Sequence, residues 1–281
     1  MIDLHIHSNC SDGSDDWKSI LQKAERLGLS CISITDHDNC EVYTQMENPR
    51  DYFSGRVVVG IEMQAYFDGI AIELLGYGFD LPTMQERLKG LYLPFAHINE
   101  QELFRLHALC AAQGMRFAPD VPENYADSGC FYATEYLHNE MRKYPENQAL
   151  VPDTESWASE HIFFKRHTSN PNSAFYVDES DLLPSAARVA QIIHEAGGKV
   201  FIPHVFEYEK HAQNVLAGLC ESCVIDGVEC YYPSFTPKQT AFLLDFCAAR
   251  GLLVSGGSDY HGANRPANEM GCVGEFEMFS E

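Results

Sequence analysis

The sequence predicts an α/β fold, a barrel or sheet of parallel strands, interrupted by a mostly helical insert. Short apolar runs alternate with amphipathic helical patterns over residues 1–80 and again over residues 185–281. Parallel strands need crossover connections, usually helices, so this alternation favours one domain built from both ends of the chain. Residues 81–184 are first helical and then irregular in pattern, with several prolines, and are predicted to form a subdomain over the mouth of the barrel.

The N-terminal part contains four predicted strands and one predicted helix. The first strand, IDLHIH, alternates in hydrophobicity, and the amphipathic helix WKSILQKAERLGL after it ends at Gly28. A second strand, CISITD, follows. The apolar runs VVVGIEMQAYF and IAIELLGYGF are predicted to be two further strands, because the turn-forming pair Asp68-Gly69 joins them.

The C-terminal part repeats the alternation. It begins with the helical pattern AARVAQIIHEAGG and continues with the strands KVFIPHV and VIDGVECYY. The helix KQTAFLLDFCAARG and the strand LLVSGGSD complete it. Helices and strands at this spacing are typical of βα units.

Composition excludes several classes of protein. Apolar residues make up 45% of the chain, which is typical of a globular protein. No run approaches the roughly 18 apolar residues of a membrane helix, and MIDLHIHSNC has no export leader pattern, so a cytoplasmic protein is expected. Nineteen basic and 41 acidic residues give a net charge of −22, which repels long nucleic acids. An anionic substrate therefore needs a site that recruits its own cations.

Ten cysteines are scattered through the chain, mostly in apolar runs, as is typical of reduced and buried thiols. Cys220 and Cys223 form a CxxC pair, but a structural zinc site usually needs a second pair at similar spacing, and the sequence has none. We therefore expect neither a disulfide framework nor a zinc site at this pair.

Histidine and carboxylate side chains stand where the predicted strands end. His5 and His7 alternate on the first strand, so their imidazoles share a face and both can bind one metal ion. Asp259 and His261 have the same spacing after the last strand. Further candidates lie in the loop after the first strand or at other strand ends: Asp12, His37, Glu62 and His204. Since the carboxyl ends of barrel strands form one face, the sequence predicts a multinuclear site there, suited to Zn, Mn or Fe.

Several motifs together resemble one known family. HIHSNCSDGS, SITDHDN, GIEM, LLGYGFD, GGKVFIPHV and SGGSDYHG are similar to the motif series of the PHP (polymerase and histidinol phosphatase) family. The resemblance covers about residues 1–80 and 184–268 and continues weakly through FFKRHTSNPNSAFYV. The most similar subgroup contains small phosphoesterases that act on nucleotides or short RNA ends, including RNase AM-like enzymes.

The resemblance implies a distorted seven-stranded (β/α)7 barrel that holds up to three metal ions. By position, it implies that His5, His7, Glu62 and Asp259 bind the first ion, Glu62 and His204 the second, and Asp12, His37 and His261 the third.

Glu73 stands where this subgroup usually has another histidine ligand of the second ion. A carboxylate can also bind a metal ion, and its extra negative charge favours a harder ion such as Mn²⁺. Burying a carboxylate in an apolar strand is costly unless a cation or hydrogen-bond donor meets it. We therefore expect Glu73 to be a ligand, with Glu135 or His138 of the insert as the alternatives.

Phosphate recognition is predicted to depend on arginine. The subgroup tends to carry an Arg-Pro-His run in the insert, whereas the corresponding segment here, GCFYATEYLHNEM, has no arginine. A guanidinium can grip phosphate through paired hydrogen bonds. Arg166 in FFKRH and Arg265 in HGANRP are therefore the candidate substrate-binding residues.

The ligand set predicts phosphoester hydrolysis without a protein nucleophile. Metal ions lower the pKa of bound water, so a metal-bridging hydroxide is expected to attack phosphorus. The resemblance implies a nucleotide or short oligonucleotide as substrate, with no long nucleic acid and no membrane as partner. The alternatives are a histidinol-phosphate phosphatase and a metal-binding module without turnover.

Overall fold

The computed structural model describes residues 1–130, 132–222, 224–271, 274 and 276. The chain forms two compact units. The first comprises Met1–Ala65, Ile72–Leu91 and Ser185–Glu281. The second comprises Tyr66–Ala71 and Tyr92–Pro184.

A seven-stranded sheet follows chain order in space. The first three strands pair in parallel, and so do the last three. The strands are β1 (Ile2–Asp3), β2 (Cys31–Ile34), β3 (Arg56–Phe67), β4 (Ile70–Tyr77), β5 (Lys199–Ile202), β6 (Gly227–Tyr231) and β7 (Leu253–Gly256).

Backbone hydrogen bonds at the two ends of the sheet close it into a nearly complete barrel. The N–H of Leu4 donates to the carbonyl of Gly256 at 3.1 Å, and the N–H of His7 donates to the carbonyl of Tyr260 at 2.8 Å. Ile6 and Tyr260 also form a parallel bridge beyond the regular strands. The predicted α/β barrel is therefore confirmed.

The strand β4 departs from the predicted parallel order, because it runs antiparallel to β5. Asp68 and Gly69, between β3 and β4, have φ angles of 47° and 89°. Positive φ at both positions is typical of a two-residue hairpin turn, which reverses the chain without a helical crossover. The turn that the sequence predicts at Asp68-Gly69 is confirmed, and β4 is the antiparallel exception in an otherwise parallel barrel.

The helices surround the strands in the first unit and dominate the second. Their bounds are α1 (Trp17–Leu27), α2 (Glu41–Gln45), α3 (Leu81–Leu88), α4 (Phe95–Ala112), α5 (Ala133–Arg142), α6 (Thr154–Ala158), α7 (Glu160–Phe163), α8 (Ala186–Glu195), α9 (Ala212–Glu221) and α10 (Pro237–Arg250). Short 3₁₀ segments span Pro49–Asp51, Pro145–Leu150, Val205–His211 and Gly262–Asn264, and a π turn spans Phe164–Thr168. Within the described ranges, no helix combines the length and apolarity that crossing a membrane requires.

The predicted first helix, α1, has a defined start and end. The carboxylate of Asp16 accepts the backbone N–H of Ser19, and Gly28 ends the helix with a left-handed φ of 67°. Ile20 and Leu21 on its apolar face are fully buried against a cluster that includes Ile32 of β2. Burial of such side chains contributes about 1.5–3 kcal/mol each, so α1 is held mainly by packing.

The second unit has its own hydrophobic core. Leu103 and Leu106 of α4 pack with Tyr136 and Leu137 of α5 and with Phe163 of α7. The hydroxyl of Tyr136 satisfies its buried hydrogen bond by donating to the carbonyl of Val121 at 2.8 Å. This unit is therefore a packed helical body in its own right.

Gly257, directly after β7, allows a close approach to His5 in the segment that follows β1. A Cβ added there would lie 2.2 Å from the Cβ of His5 and 2.6 Å from its backbone nitrogen. We expect Gly257→Ala to lower the free energy of unfolding by about 3 kcal/mol, since the clash involves backbone that cannot move aside. Urea denaturation of the metal-free chain measures this.

Gly251, which ends α10 with φ 66°, has open space around its Cα and is the matched control. Gly251→Ala should cost only about 1 kcal/mol, from backbone strain. Equal losses in the two variants would contradict the close packing at Gly257.

Candidate metal centre

Asp36 holds the loop that follows the first strand. Its carboxylate accepts the backbone N–H of Ser8 at 2.7 Å and the Ser8 hydroxyl at 2.6 Å. Gly13 lets this loop fold back, because a Cβ there would lie 2.4 Å from the carbonyl oxygen of His7. The loop thereby brings Asp12 beside the ring of His7.

Asp3 holds the segment after β7 in the same way, by accepting hydrogen bonds from it. It accepts the backbone N–H of Ser258 at 2.9 Å and the Ser258 hydroxyl at 2.6 Å. The next residue, Asp259, has a left-handed φ of 52°, which is uncommon for a residue with a Cβ. The Asp3–Ser258 bonds thus support a strained turn that carries Asp259 and His261.

The first group of possible ligands consists of His5, His7, Glu62 and Asp259, all buried. Oε2 of Glu62 lies 3.2 Å from Nε2 of His5 and 3.2 Å from Nε2 of His7. Oδ1 of Asp259 lies 3.5 and 3.3 Å from the same two nitrogens. Two imidazoles and two carboxylates therefore point at one small volume.

The second group consists of His7, Asp12, His37 and His261. Oδ1 of Asp12 lies 3.1 Å from Nε2 of His261, 3.5 Å from Nδ1 of His7 and 3.7 Å from Nε2 of His37. The two ring nitrogens of His7 thus face different groups.

Glu62 and Glu73 face two histidines in a third group. Nε2 of His204 lies 3.1 Å from Glu62 and 3.3 Å from Glu73. Nδ1 of His37 lies 3.5 Å from Glu62 and 3.7 Å from Glu73. The Glu73 side chain is 27% exposed, so it borders the cluster and is not an isolated carboxylate in water.

The donor atoms fit divalent cations. Within the described residues, both ring nitrogens of His7, Nδ1 of His37 and Nε2 of His261 are buried without a hydrogen-bond partner. Two atoms bound tetrahedrally about 2.1 Å from one ion lie about 3.4 Å apart. The nitrogen–oxygen distances of 3.1–3.7 Å in these groups are of that size.

The cluster attracts positive charge. Burial disfavours the imidazolium of His7, but Asp259 and Glu62 outweigh burial and raise the pKa of His7 to about 10. Burial and the nearby charge of Glu62 raise the pKa of Glu73 above its ordinary value. Carboxylates packed this closely need a compensating cation, which a metal ion can supply as well as a proton.

The tautomer of His261 is set by the backbone. Its Nδ1 lies 2.8 Å from the carbonyl oxygen of Asp259, which can only accept, so Nδ1 carries the proton. Nε2, which faces Asp12, is then left with a lone pair. This arrangement is typical of histidine metal ligands.

Sequence reasoning missed Glu229 of β6, which is fully buried beside the cluster. One oxygen lies 3.0 Å from Nδ1 of His5, and the other accepts the backbone N–H of His204 at 2.8 Å. The acidic residue inside the apolar stretch VECYY, which forms most of β6, was the available signal. Tyr232 was also missed, and its hydroxyl donates to Asp259 at 2.9 Å.

The two arginine candidates have different surroundings. Arg265 lies at the rim of the cluster, where one terminal nitrogen donates to Asp259 at 3.0 Å. Among the described residues, this is the only hydrogen bond of the Arg265 guanidinium. Arg166, in the second unit, forms ion pairs with Asp153 at 2.6 Å and Glu155 at 2.8 Å.

The remaining candidates are His138 and the two cysteines of the CxxC pair. His138 is buried in the second unit, where Nε2 lies 3.0 Å from the carbonyl oxygen of Ser156. That contact and the neighbouring ring of Phe163 indicate a structural role. Cys220 is a free thiol, and Cys223 lies outside the described residues.

Comparisons with known proteins agree with this geometry. The chain is 28% identical to phosphoribosyl 1,2-cyclic phosphate 1,2-diphosphodiesterase of Eggerthella lenta, over 92% of this chain and 94% of that protein. It is 24% identical to a 5′-3′ exoribonuclease of Haemophilus influenzae, over 92% and 89%. The structure of an amidohydrolase from Chromobacterium violaceum superposes with a TM-score of 0.66 at 20% identity, over 97% and 91%, which indicates a shared fold.

The PHP domain family matches residues 3–144, half of the chain. The predictions of PHP motifs and of a metal-dependent phosphoester hydrolase are confirmed at this level. The chain belongs to the PHP domain family.

Proposed function

We propose that the chain releases phosphate from a small phosphorylated substrate, a nucleotide or a short oligonucleotide, by metal-dependent hydrolysis. The observation that carries this proposal is the buried cluster in which Glu62 faces four imidazoles. A cluster of imidazole nitrogens and carboxylates suits divalent cations, which are common catalysts of phosphoester hydrolysis.

The ligands divide into three sets, so up to three ions fit, with Mn, Zn and Fe all suitable. The proposed sets are His5, His7, Glu62 and Asp259 for the first ion, Glu62, Glu73 and His204 for the second, and Asp12, His37 and His261 for the third. Support comes from the short distances within each set. His7 and His37 each also face a neighbouring set.

The chain's own residues hold the ligands and leave the nucleophile to water. Divalent ions supply, when bound, Lewis acidity and a lowered pKa for water. Tyr232 and Arg265 hold one oxygen of Asp259, which leaves its other oxygen towards His5 and His7. Nearby serine hydroxyls donate to Asp3 and Asp36, which supports a reaction without a serine nucleophile.

The substrate class is inferred from the relatives and the charge. One relative is named for a phosphoribosyl cyclic phosphate and the other for RNA, and both substrates carry phosphate on ribose. The net charge of −22 disfavours a long RNA and favours a small anion bound by cations in the site. The substrates named for the two relatives therefore share a phosphorylated ribose unit.

A phosphate-release screen tests the proposal. The chain, loaded separately with Mn²⁺, Zn²⁺ and Fe²⁺, is offered nucleoside monophosphates, short 5′-phosphorylated oligonucleotides, histidinol phosphate and ribose cyclic phosphates. For the cyclic phosphates, phosphorus NMR also detects the opened ring, because the first hydrolysis of a cyclic diester leaves a monoester and frees no phosphate. We expect release from a ribose phosphate, and His7→Ala should lose bound metal and nearly all turnover because His7 faces two sets of ligands.

His194→Ala is the control, since His194 pairs with Asp226 and belongs to none of the ligand sets. Preference for histidinol phosphate would contradict the substrate class. Full metal content and turnover in His7→Ala would contradict the site.

Arg265 is proposed as the phosphate anchor, because one nitrogen is held by Asp259 while the rest of the guanidinium can meet an anion. Arg265→Ala should raise KM by roughly 10- to 100-fold, the value of one or two lost charged hydrogen bonds, and leave metal content unchanged. Arg265→Lys should recover part of the loss. Steady-state kinetics and elemental analysis measure both quantities.

Arg166→Ala is the comparison variant. Its KM should change little, because the guanidinium of Arg166 is already paired with Asp153 and Glu155. A large rise in KM for Arg166→Ala, with none for Arg265→Ala, would transfer the anchor to Arg166.

Glu73 is proposed as a ligand of the second ion, because it faces His204 and His37. Glu73→Leu should remove about one ion per chain and keep the others, whereas Glu73→His should retain all of them and favour Zn. Elemental analysis after gel filtration counts the ions.

Glu135→Leu serves as the comparison, since Glu135 was the alternative ligand. Unchanged metal content in Glu73→Leu would exclude Glu73 from the site, and loss of an ion in Glu135→Leu would then assign the ligand to Glu135.

A further inference from the structure

Glu229 is a buried carboxylate whose two oxygens contact two different candidate ligands. Oε1 lies 3.0 Å from the ring nitrogen Nδ1 of His5, and Oε2 accepts the backbone N–H of His204 at 2.8 Å. The side chain is fully shielded from solvent, where an unsatisfied carboxylate is costly. The two contacts therefore constrain the ring of His5 and the backbone of His204.

The first contact fixes which nitrogen of His5 carries a proton. A carboxylate oxygen accepts from Nδ1–H, and a neutral imidazole has only one N–H. Nε2 is then free to offer its lone pair, and it points at Glu62 and Asp259 at distances of 3.2 and 3.5 Å. His5 is thereby prepared to bind a cation between them.

The second contact holds the backbone of His204, which has the unusual angles φ 25° and ψ 44°. A strained backbone persists only where its surroundings determine it. The ring of His204 faces Glu62 and Glu73 from this backbone position.

We propose that Glu229 is a positioning residue that sets the affinity of two metal sites, by fixing the tautomer of His5 and the backbone of His204. The inference rests on the metal binding in the proposed function. Groups that hydrogen-bond to ligating histidines fix their tautomer and ring orientation and raise their basicity. Glu229 fixes the tautomer of His5, a proposed ligand of the first ion. It also supports the backbone of His204, a proposed ligand of the second ion.

The variant Glu229→Gln tests this, since glutamine keeps the shape but has only one accepting oxygen. The N–H of His204 can only donate and takes that oxygen, so the amide NH₂ faces Nδ1 of His5. Nδ1 must then accept, and the proton of a neutral His5 moves to Nε2, the atom that faces Glu62. Metal affinity, measured by competition with a chelator for Zn²⁺ and Mn²⁺, should fall about 10- to 100-fold.

The chain offers a matched control in Asp226, whose carboxylate also joins one imidazole and one backbone N–H. Its Oδ2 lies 2.7 Å from Nε2 of His194 and accepts the N–H of Val200 at 2.8 Å. Since His194 is in no ligand set, Asp226→Asn should leave metal affinity unchanged. Circular dichroism and thermal unfolding of both metal-free variants report any general loss of structure.

Equal metal affinity in Glu229→Gln and the wild type would overturn the proposal, as would an equal loss in Asp226→Asn. If Glu229→Gln does not fold, nitrogen NMR of the zinc-loaded wild type decides, because His5 must then carry its proton on Nδ1. A His5 without that proton would also overturn it. These measurements use no substrate, so a chain that binds metal but releases no phosphate contradicts only the proposed function.

Discussion

One buried carboxylate, that of Glu62, lies within ion-pair distance of four imidazoles. His5 and His7 approach one oxygen at 3.2 Å, His37 approaches it at 3.5 Å, and His204 approaches the other oxygen at 3.1 Å. Burial penalises the charge of Glu62, but His5 and His37 hold the pKa of Glu62 well below its usual range. The four imidazoles surround this carboxylate. Glu62 would be a ligand of both the first and the second proposed ion.

Much of the cluster could be predicted because strand geometry determines which side chains share a face. The predicted first strand is shorter in the structure, where β1 ends at Asp3, but Ile6 still bridges Tyr260 in parallel. The extended two-residue spacing of His5 and His7 is therefore kept, and both imidazoles face Glu62. His204 follows an apolar run that forms β5, and barrel strands end on one face. Glu73 required the resemblance as well, since a carboxylate within a strand can as easily face water.

Other features depend on contacts between residues far apart in the chain, which spacing does not reveal. Glu229 contacts His5, which lies 224 residues earlier in the chain, so its role becomes visible only when the closed barrel brings β6 and the segment after β1 together. Arg166 is a candidate substrate-binding residue by sequence, but the fold places Asp153 and Glu155 against it. The antiparallel direction of β4, by contrast, follows from the local two-residue turn that the pair Asp68-Gly69 predicts.

The hydrogen bond from Leu4 to Gly256 joins the two ends of the barrel, and it has a consequence for folding. His5 and His7 lie just after Leu4, while Asp259 and His261 lie just after Gly256, so their donor atoms converge only when the barrel is closed. A cation bound there would stabilise the closed barrel over any state in which the terminal strands separate. Loss of the cation and separation of the first and last strands are therefore thermodynamically linked. The proposed catalytic ions would also stabilise the closed fold.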